Sequence, residues 1–281
     1  MEGEEEGEDP VVVIDYDAVG NPILIVVDVS GAHRLPVRYC RCSNAEEQEF
    51  QLLRMGLFPT SYQEVKTIFT FAVLDDYLID NQECKTSGYH YFAKVKRRTS
   101  SAFPHRTPNR YRELIRLSRQ WRMLKEYKWN GFAHTKETPG PGKLAVMCPT
   151  CPQPGINLPE NWKNDENQLL YMRSFVMDGN FTASHLKQKH PEDDVWLGSG
   201  TSIMTARERY YEHLEIAPDD RNTNDCNASK ALNARISQSG TNITGIGAMA
   251  CARHGFFAPC SCVDFQKGEK YVHTWILSYK E

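Results

Sequence analysis

The pattern of hydrophobic and polar positions predicts a β-rich start to the chain. Two β-branched runs, residues 11–16 and 23–29, flank the sequence AVGNP, and Gly, Asn and Pro at such a point favour a hairpin turn. A third strand is predicted over His33–Cys40. Asn44 is placed to cap a helix that runs through Leu53 and ends at Gly56.

Helices are predicted to dominate the next segment. Residues 62–80, 89–98 and 110–129 each show the apolar spacing of an amphipathic helix, and a Pro-rich break, SSAFPHRTPN, precedes the third. The apolar face of the first helix consists of Phe69, Val73, Tyr77 and Leu78. The apolar stripe of the third consists of Leu114, Leu117, Trp121 and Leu124.

Periodic segments are fewer in the second half. Residues 135–143, TKETPGPGK, are typical of a linker. The apolar run 174–177 predicts a strand, and the following Asp178-Gly-Asn predicts a turn. Residues 191–245 are rich in Asn, Asp, Ser and Thr and are predicted to be a polar insert outside the core, with a helix over 205–214. The predicted fold class is α+β.

The composition is that of a globular protein and excludes several classes. Forty per cent of the 281 residues are apolar and 11% are aromatic, too many for a disordered chain. The longest apolar run, Ile23–Val27, is too short to span a bilayer. The start, MEGEEEGED, is acidic and lacks the apolar core of a signal peptide. We therefore expect a protein of the nucleus or cytosol that is not secreted.

Positive charge is concentrated in one segment, although the net charge is −3. Residues 94–128 contain twelve Lys and Arg against two acids, a local balance of +10. On the helix predicted over 110–129, Arg112, Arg116 and Arg119 lie opposite the apolar stripe. Two interpretations stay open: a solvated helix face, or a face that contacts DNA phosphates, for which arginine is well suited.

Cysteine and histidine occur in closely spaced pairs. Nine cysteines without a signal peptide indicate reduced thiols or metal ligands. Cys148-x2-Cys151 and Cys251-x2-His254 each have a spacing at which a tight turn binds zinc, and together they supply a Cys₃His tetrahedron. Cys226 is an alternative ligand. The competing interpretation is that these thiols are small core residues.

The remaining cysteines are weaker candidates. Cys40 and Cys42 are a further closely spaced pair and are candidate metal ligands. Cys260 and Cys262 are interpreted as core or surface thiols, and Cys84 as a small buried hydrophobe.

Asp178 is the candidate catalytic acid. A strand that ends on an acid is typical of metal-dependent nucleases, because Mg²⁺ prefers carboxylate oxygen. The same residues also fit a plain turn. The sequence contains no Ser-His-Asp order, phosphate-binding Gly loop or HExxH helix.

Four motifs in a fixed order carry a family resemblance. CPTCPQPGINLP at 148–159, MDGNF at 177–181, CARH at 251–254 and DFQKGEKY at 264–271 together resemble the start of the catalytic region of KDZ (Kyakuja–Dileera–Zisupton) transposases. Upstream, VSGAHRLPVRYCRC and the segment that follows it resemble the end of the CxC-type cysteine cluster that accompanies those transposases.

The resemblance implies an RNase H-like fold in which three acids hold two magnesium ions. By position, Asp178 matches the first acid, and the other two are expected beyond Glu281. Asp264 and Glu269 fall in a family motif without a known place at the metals. Further cysteines are expected before Cys40, so the chain is interpreted as cut at both ends.

This resemblance predicts four segments. They are an acidic disordered tail over 1–10, a remnant of the cysteine cluster over 11–60, a basic helical connector and linker over 61–143, and the N-terminal part of the RNase H-like domain over 144–281.

The predicted function is that of a truncated, catalytically inactive KDZ-type transposase derivative that contacts DNA and has no membrane partner. One alternative is a non-catalytic, zinc-containing DNA- or protein-binding module. Another is a gene fragment without independent function, whose sheet lacks strands.

Overall fold

A computed structural model describes residues 15–187, 197–216 and 240–265. Helices and sheets are both present, as predicted for the α+β class. The chain divides into two compact units, Met1–Lys125 and Glu126–Glu281. The domain limits predicted at residues 60 and 143 stay predictions, and the predicted tail 1–10 lies outside the described residues. In the described part of the chain, every helix is too short or too polar to cross a membrane.

The first unit is built on a five-stranded sheet. Its strands are β1 (Asp15–Tyr16), β2 (Pro22–Asp28), β3 (Gly31–Pro36), β4 (Leu57–Pro59) and β5 (Thr67–Thr70). β1 and β3 pair with β2 in antiparallel orientation, β5 runs parallel to β2, and β4 is antiparallel to β5. The predicted hairpin is thus confirmed for its described residues. The third strand ends at Pro36 and does not reach Cys40.

The helices are α1 (Gln48–Arg54), α2 (Phe71–Glu83), α3 (Gly88–Thr99) and α4 (Tyr111–Trp129). The last four residues of α4, from Glu126, are grouped with the second unit. The helices predicted over 89–98 and 110–129 are confirmed. The helix predicted from Asn44 begins four residues later, at Gln48.

The helix predicted over 62–80 is wrong in its first half, because residues 67–70 form β5. Thr70 ends this strand and caps α2, its hydroxyl accepting a hydrogen bond from the Val73 amide at 3.2 Å. Ile68 and Phe69 are both fully buried, in cores on opposite faces of the sheet. A strand that is buried on both faces has a continuous run of apolar residues in its sequence. Such a run is also compatible with a buried helix, so the pattern alone does not distinguish the two.

The larger core of the first unit joins the sheet to α2, α3 and α4. It contains Val27, Phe69, Tyr91, Leu114 and Leu117, among others. Trp121 closes it, and its indole nitrogen donates to Asp75 Oδ1 at 2.8 Å. Leu124 was assigned to the same apolar stripe, but it is 49% exposed, because the core ends one turn earlier.

The second unit contains a three-stranded antiparallel sheet in the order β10-β9-β6. Its strands are β6 (Phe175–Asn180), β9 (Gly245–Cys251) and β10 (Phe257–Phe265), and a separate pair is formed by β7 (His185–Leu186) and β8 (Thr241–Ile243). One helix, α5 (Arg207–Ile216), lies near the predicted position 205–214. Among the described residues, β6 pairs with β9 alone, so its other edge has no strand beside it.

The described part of segment 191–245 is not a polar insert. Ile203 and Thr205 exchange backbone hydrogen bonds with Cys262 of β10 at 2.9 Å each. Tyr210 of α5 is buried against Val263 and Phe265. The prediction was wrong because composition averages over the segment, whereas a few apolar residues suffice to attach it to the sheet.

Glycines on one face of the second sheet make room for a single aromatic ring. A Cβ added at Gly179 or Gly247 would lie 2.8 or 2.5 Å from the ring of Phe265. Real Cβ atoms do not approach so closely, so these positions require glycine. Asp178, Gly179 and Asn180 are the last three residues of β6, so the turn predicted there is wrong. Gly179 is explained by its contact with the Phe265 ring and not by a turn.

Candidate metal centre

Four predicted zinc ligands from two distant segments meet in the second unit. Cys148 and Cys151 lie on a loop, Cys251 is the last residue of β9, and His254 follows in a turn. The three cysteines are buried together, whereas His254 is exposed. One candidate ligand atom from each residue lies within 4.8 Å of the other three. Sequence spacing alone did not require the two pairs to meet.

The distances fit a tetrahedral zinc site. Cys151 Sγ lies 3.2 Å from Cys251 Sγ, and His254 Nδ1 lies 3.3 Å from Cys148 Sγ and 3.6 Å from Cys251 Sγ. With Zn–S bonds of about 2.3 Å and a Zn–N bond of about 2.0 Å, neighbouring ligand atoms in a tetrahedron lie about 3.5–3.8 Å apart. The three distances lie within about 0.6 Å of these values, and all four ligand atoms lie within 4.8 Å of one another, so the four residues are placed to bind zinc after a small rearrangement. Three thiols and an imidazole are also its preferred donors.

Amide side chains hold the loop that carries the first ligand pair. Gln153 Nε2 donates to the Cys148 carbonyl and Asn157 Nδ2 to the Cys151 carbonyl, each at 2.9 Å. Arg173 Nε donates to the Pro152 carbonyl at 2.7 Å. Sequence reasoning missed these supports, although Gln and Asn next to a Cys-x2-Cys loop are a readable signal for such bonds.

The second ligand pair is fixed by the end of the sheet. Cys251 pairs with Phe175 across β9 and β6, and its amide donates to the Phe256 carbonyl at 2.8 Å. Gly255 adopts a left-handed φ of 72° and donates to the Cys251 carbonyl at 2.9 Å. This tight turn brings His254 back towards the cysteine sulfurs.

The crowded thiols shift one another's protonation. A hydrogen bond from Thr150 is the main cause that lowers the pKa of Cys148 to about 6. The hydrogen bond between the Cys151 and Cys251 thiols has opposite effects on the two groups. It is the main cause that raises the pKa of Cys151 to about 12 and the main cause that lowers the pKa of Cys251. A separate hydrogen bond, between His254 and Cys251, is the main cause that raises the pKa of His254. The cluster thus favours partial negative charge, which a dication complements.

The other cysteine candidates do not join this cluster. Cys40 Sγ lies 3.2 Å from Cys42 Sγ on the surface of the first unit, and among the described residues no further His, Cys, Asp or Glu completes a group around them. Cys260 and Cys262 are buried in β10, and Cys84 is exposed, which contradicts its interpretation as a buried residue. Cys226 lies outside the described residues.

Asp178 lies in the interior of β6 and is exposed. Its carboxylate accepts a hydrogen bond from the Gly179 amide at 2.7 Å. Among the described residues, the Cys₃His cluster is the one group of three or more candidate ligands. Asp264 shares a sheet face with Asp178, because the two are opposite Ile246 and Ala248 of β9. They are two strands apart, roughly 10 Å, which is too far to hold one ion. Glu269 lies outside the described residues.

The arginine face of α4 is exposed, but the positive segment is partly neutralised in space. Arg112, Arg116 and Arg119 are exposed, and Arg116 Nη2 donates to the Thr60 carbonyl at 2.5 Å. Acids of α2 balance two lysines of the segment: Asp80 lies 2.5 Å from Lys94, and Asp75 lies 2.7 Å from Lys125. The balance of +10, counted along the sequence, therefore overstates the surface charge.

The first unit carries the exposed cysteine pair Cys40 and Cys42, and the second unit carries the Cys₃His cluster. Comparison with protein families indicates that a chain with these two units is derived from a transposase. Residues 14–102 match the CxC2-like cysteine cluster associated with KDZ transposases. Residues 171–280 match the Kyakuja-Dileera-Zisupton transposase family. Together the two matches support membership of the KDZ transposase family. No curated protein and no solved structure matches it.

Only two of the four candidate zinc ligands lie within a matched region. Cys251 and His254 lie inside the transposase match, whereas Cys148 and Cys151 lie between the two matches. Family comparison alone therefore identifies half of the candidate site, and the geometry supplies the other half.

Proposed function

We propose that this chain is a DNA-binding member of the transposase family in which a structural zinc ion stabilises the second unit, and which does not cut DNA by itself. The observation that carries the proposal is a contrast within that unit. Four zinc-type ligands converge within 4.8 Å, whereas Asp178 belongs to no group of three or more candidate ligands among the described residues. The RNase H-like architecture stays a prediction, as does nuclear localisation.

The zinc ion is assigned a structural role because the ligand set is closed. Structural zinc sites use four protein ligands, whereas catalytic sites keep one position open for water. Three cysteines and one histidine fill all four positions here. When bound, the ion would tie the loop of Cys148 to the end of β9 and lower the negative charge of the thiolates.

We expect the purified chain to leave DNA intact in the presence of Mg²⁺ or Mn²⁺. A single exposed carboxylate cannot compete with water for two magnesium ions, whose chemistry requires several shared acids. The measurement is nicking of supercoiled plasmid, with Asp178→Asn as the matched control. Metal-dependent nicking that disappears in the Asp178→Asn variant would show that the chain is an active nuclease.

DNA binding is assigned to the exposed arginines of α4. Arg112, Arg116 and Arg119 recur at helical spacing, which suits contacts with successive phosphates. Arg112 and Arg119 also make contacts within the protein, so DNA would share or replace those contacts. Binding is expected to be tolerant of sequence, because phosphate contacts carry no base information.

Replacing Arg112, Arg116 and Arg119 together with Gln should weaken duplex binding for all sequences. Each phosphate contact contributes about 0.9 to the salt slope of log affinity, so the slope should fall by about three. Fluorescence anisotropy at several salt concentrations measures both quantities. A triple Gln variant at Arg34, Arg38 and Arg54, which are exposed elsewhere on the first unit, removes the same charge and should retain the parent slope. Equal loss in both variants would contradict a specific role for α4.

A protein-binding role is the second candidate, and it is favoured by the edge of β6 that has no strand beside it in the described part of the chain. Phe175, Val176 and Met177 are exposed along this strand by 44%, 53% and 39%. An unpaired, apolar strand edge is a site at which another chain can add a strand. Retention of the chain by a partner without any affinity for DNA would favour this alternative.

A further inference from the structure

The second unit contains an open cavity beside the candidate zinc site. Its volume is about 450 Å³, within the range of small-ligand pockets. The walls are mostly apolar and include Trp129, Val146, Phe256 and Phe257. Trp129 is 67% exposed and Phe257 48% exposed. Aromatic surface of this extent is therefore available to a flat partner.

One acid lines this cavity, together with the polar side chains of Asn130, Ser202 and His254. Glu126 is part of its wall and is half-buried. In the described part of the chain, its carboxylate has no hydrogen-bond or ion-pair partner, and burial raises its pKa. A carboxylate that has lost part of its water without gaining a partner is an unused acceptor. The cavity thus offers an aromatic surface and a hydrogen-bond acceptor together.

Residues next in sequence to the wall carry the opposite charge. Lys128, Lys143 and Arg253 are exposed, and each is the sequence neighbour of a residue of the wall. Three exposed cations next in sequence to the wall, and a single acid in it, favour an occupant whose outer part is anionic and whose inner part donates hydrogen bonds. A nucleotide has this arrangement, with phosphates outside and base amino groups inside. A cationic peptide would suit Glu126 but would be repelled by these cations.

We propose that this cavity receives one unpaired nucleobase of bound DNA. The base stacks on Trp129, its amino edge donates to the Glu126 carboxylate, and the adjacent phosphates lie at Lys128, Lys143 and Arg253. The proposal rests on the DNA binding proposed above and adds a preference for locally unpaired DNA. Aromatic stacking is a common means of holding extruded or single-stranded bases. Carboxylates accept hydrogen bonds from base amino groups.

The acid also predicts which base is preferred. Guanine presents two neighbouring donors, N1–H and the N2 amino group, to a carboxylate. Cytosine and adenine each present an amino group, whereas thymine has one imide donor between two carbonyl oxygens that would repel the carboxylate. We therefore expect unpaired guanine to bind most tightly and unpaired thymine most weakly.

The test uses the full chain and two labelled duplexes of one sequence, fully paired or with a single guanine opposite an abasic site. We expect about tenfold tighter binding of the second duplex, the scale of one base–aromatic stack. Trp129→Ala should remove this preference and leave affinity for the paired duplex unchanged. Trp129→Phe should retain part of it. Trp162→Ala, which changes a tryptophan away from the cavity, should retain all of it.

A third duplex with thymine at the unpaired position tests Glu126. Glu126→Gln should abolish the discrimination between guanine and thymine while the preference for unpaired over paired DNA persists. Circular dichroism melts check that every variant folds; because Trp129 is largely exposed, we expect little change.

Two results would overturn the pocket while leaving DNA binding intact: equal affinity for paired and unpaired duplexes, or a preference that survives in Trp129→Ala. Binding of an oligo-arginine peptide that is lost in Glu126→Gln would assign the cavity to a basic protein segment and also overturn it. Absence of binding to any duplex would overturn the proposed function itself.

Discussion

Replacing Cys251 with serine is expected to release zinc and unfold the second unit. Zinc binding to structural sites contributes an apparent free energy of about 10–16 kcal/mol at neutral pH in zinc-finger peptides, which is comparable to the whole stability of a typical domain, about 5–15 kcal/mol. Cys251 is 3% exposed and lies at the junction of β9 with the ligand cluster. Its loss removes one ligand and leaves two thiols and an imidazole crowded without an ion.

Metal content of the purified protein and hydrogen exchange of each unit measure this effect. We expect the variant to lose about one zinc ion per chain and to lose amide protection in β6, β9 and β10, while protection in α2–α4 persists. Cys84→Ser is the control, because Cys84 is exposed and far from the cluster in sequence. A Cys251→Ser protein that keeps both its zinc and its protection would identify these thiols as core residues.

Replacing Phe69 with alanine is expected to destabilise the first unit by about 3–5 kcal/mol, the usual cost of removing a buried phenylalanine. Phe69 is fully buried on β5, in the core that joins the sheet to α2, α3 and α4. Loss of its ring leaves a cavity between the sheet and the helices. The surrounding elements relax only partly around such a cavity, which adds to the cost of the lost apolar contacts.

Urea denaturation followed by circular dichroism measures the change in the free energy of unfolding. Phe50→Ala is the matched control: Phe50 is 56% exposed on α1, and its loss should change stability by no more than about 0.5 kcal/mol. A Phe69→Ala variant as stable as Phe50→Ala would mean that the β5 strand is not part of the core.

Local signals in the sequence were sufficient for some elements of the fold but not for others. α4 was predicted within one residue, because its apolar stripe is long and capped by clear breaks. β5 was missed, because Thr67–Thr70 is four residues long and runs directly into α2. Its status as a strand depends on the parallel pairing with β2, a contact that the sequence pattern does not contain.

The candidate site was likewise only partly predictable. Spacing within each pair identified Cys148, Cys151, Cys251 and His254 as candidate ligands, since a zinc-binding turn is a local feature. Asp178 was placed in a turn, because the sequence does not reveal that Phe265 of another strand covers the neighbouring glycine. The cavity was not predicted, since its wall comes from four separate segments around residues 126–130, 144–146, 202–203 and 254–257.

The long separation in sequence between the two ligand pairs affects how insertions and deletions in the intervening segment change the stability of the second unit. Cys151 and Cys251 are 100 residues apart in sequence, yet their sulfurs lie 3.2 Å apart. A zinc ion held there closes a long loop, and the entropic cost of such closure grows only slowly, by about 0.6 kcal/mol for each doubling of loop length. Insertions or deletions between β7 and β8 that keep the backbone hydrogen bonds of Ile203 and Thr205 and the buried Tyr210 should therefore change the stability of the unit little, so long as both ends of the loop still meet at the metal.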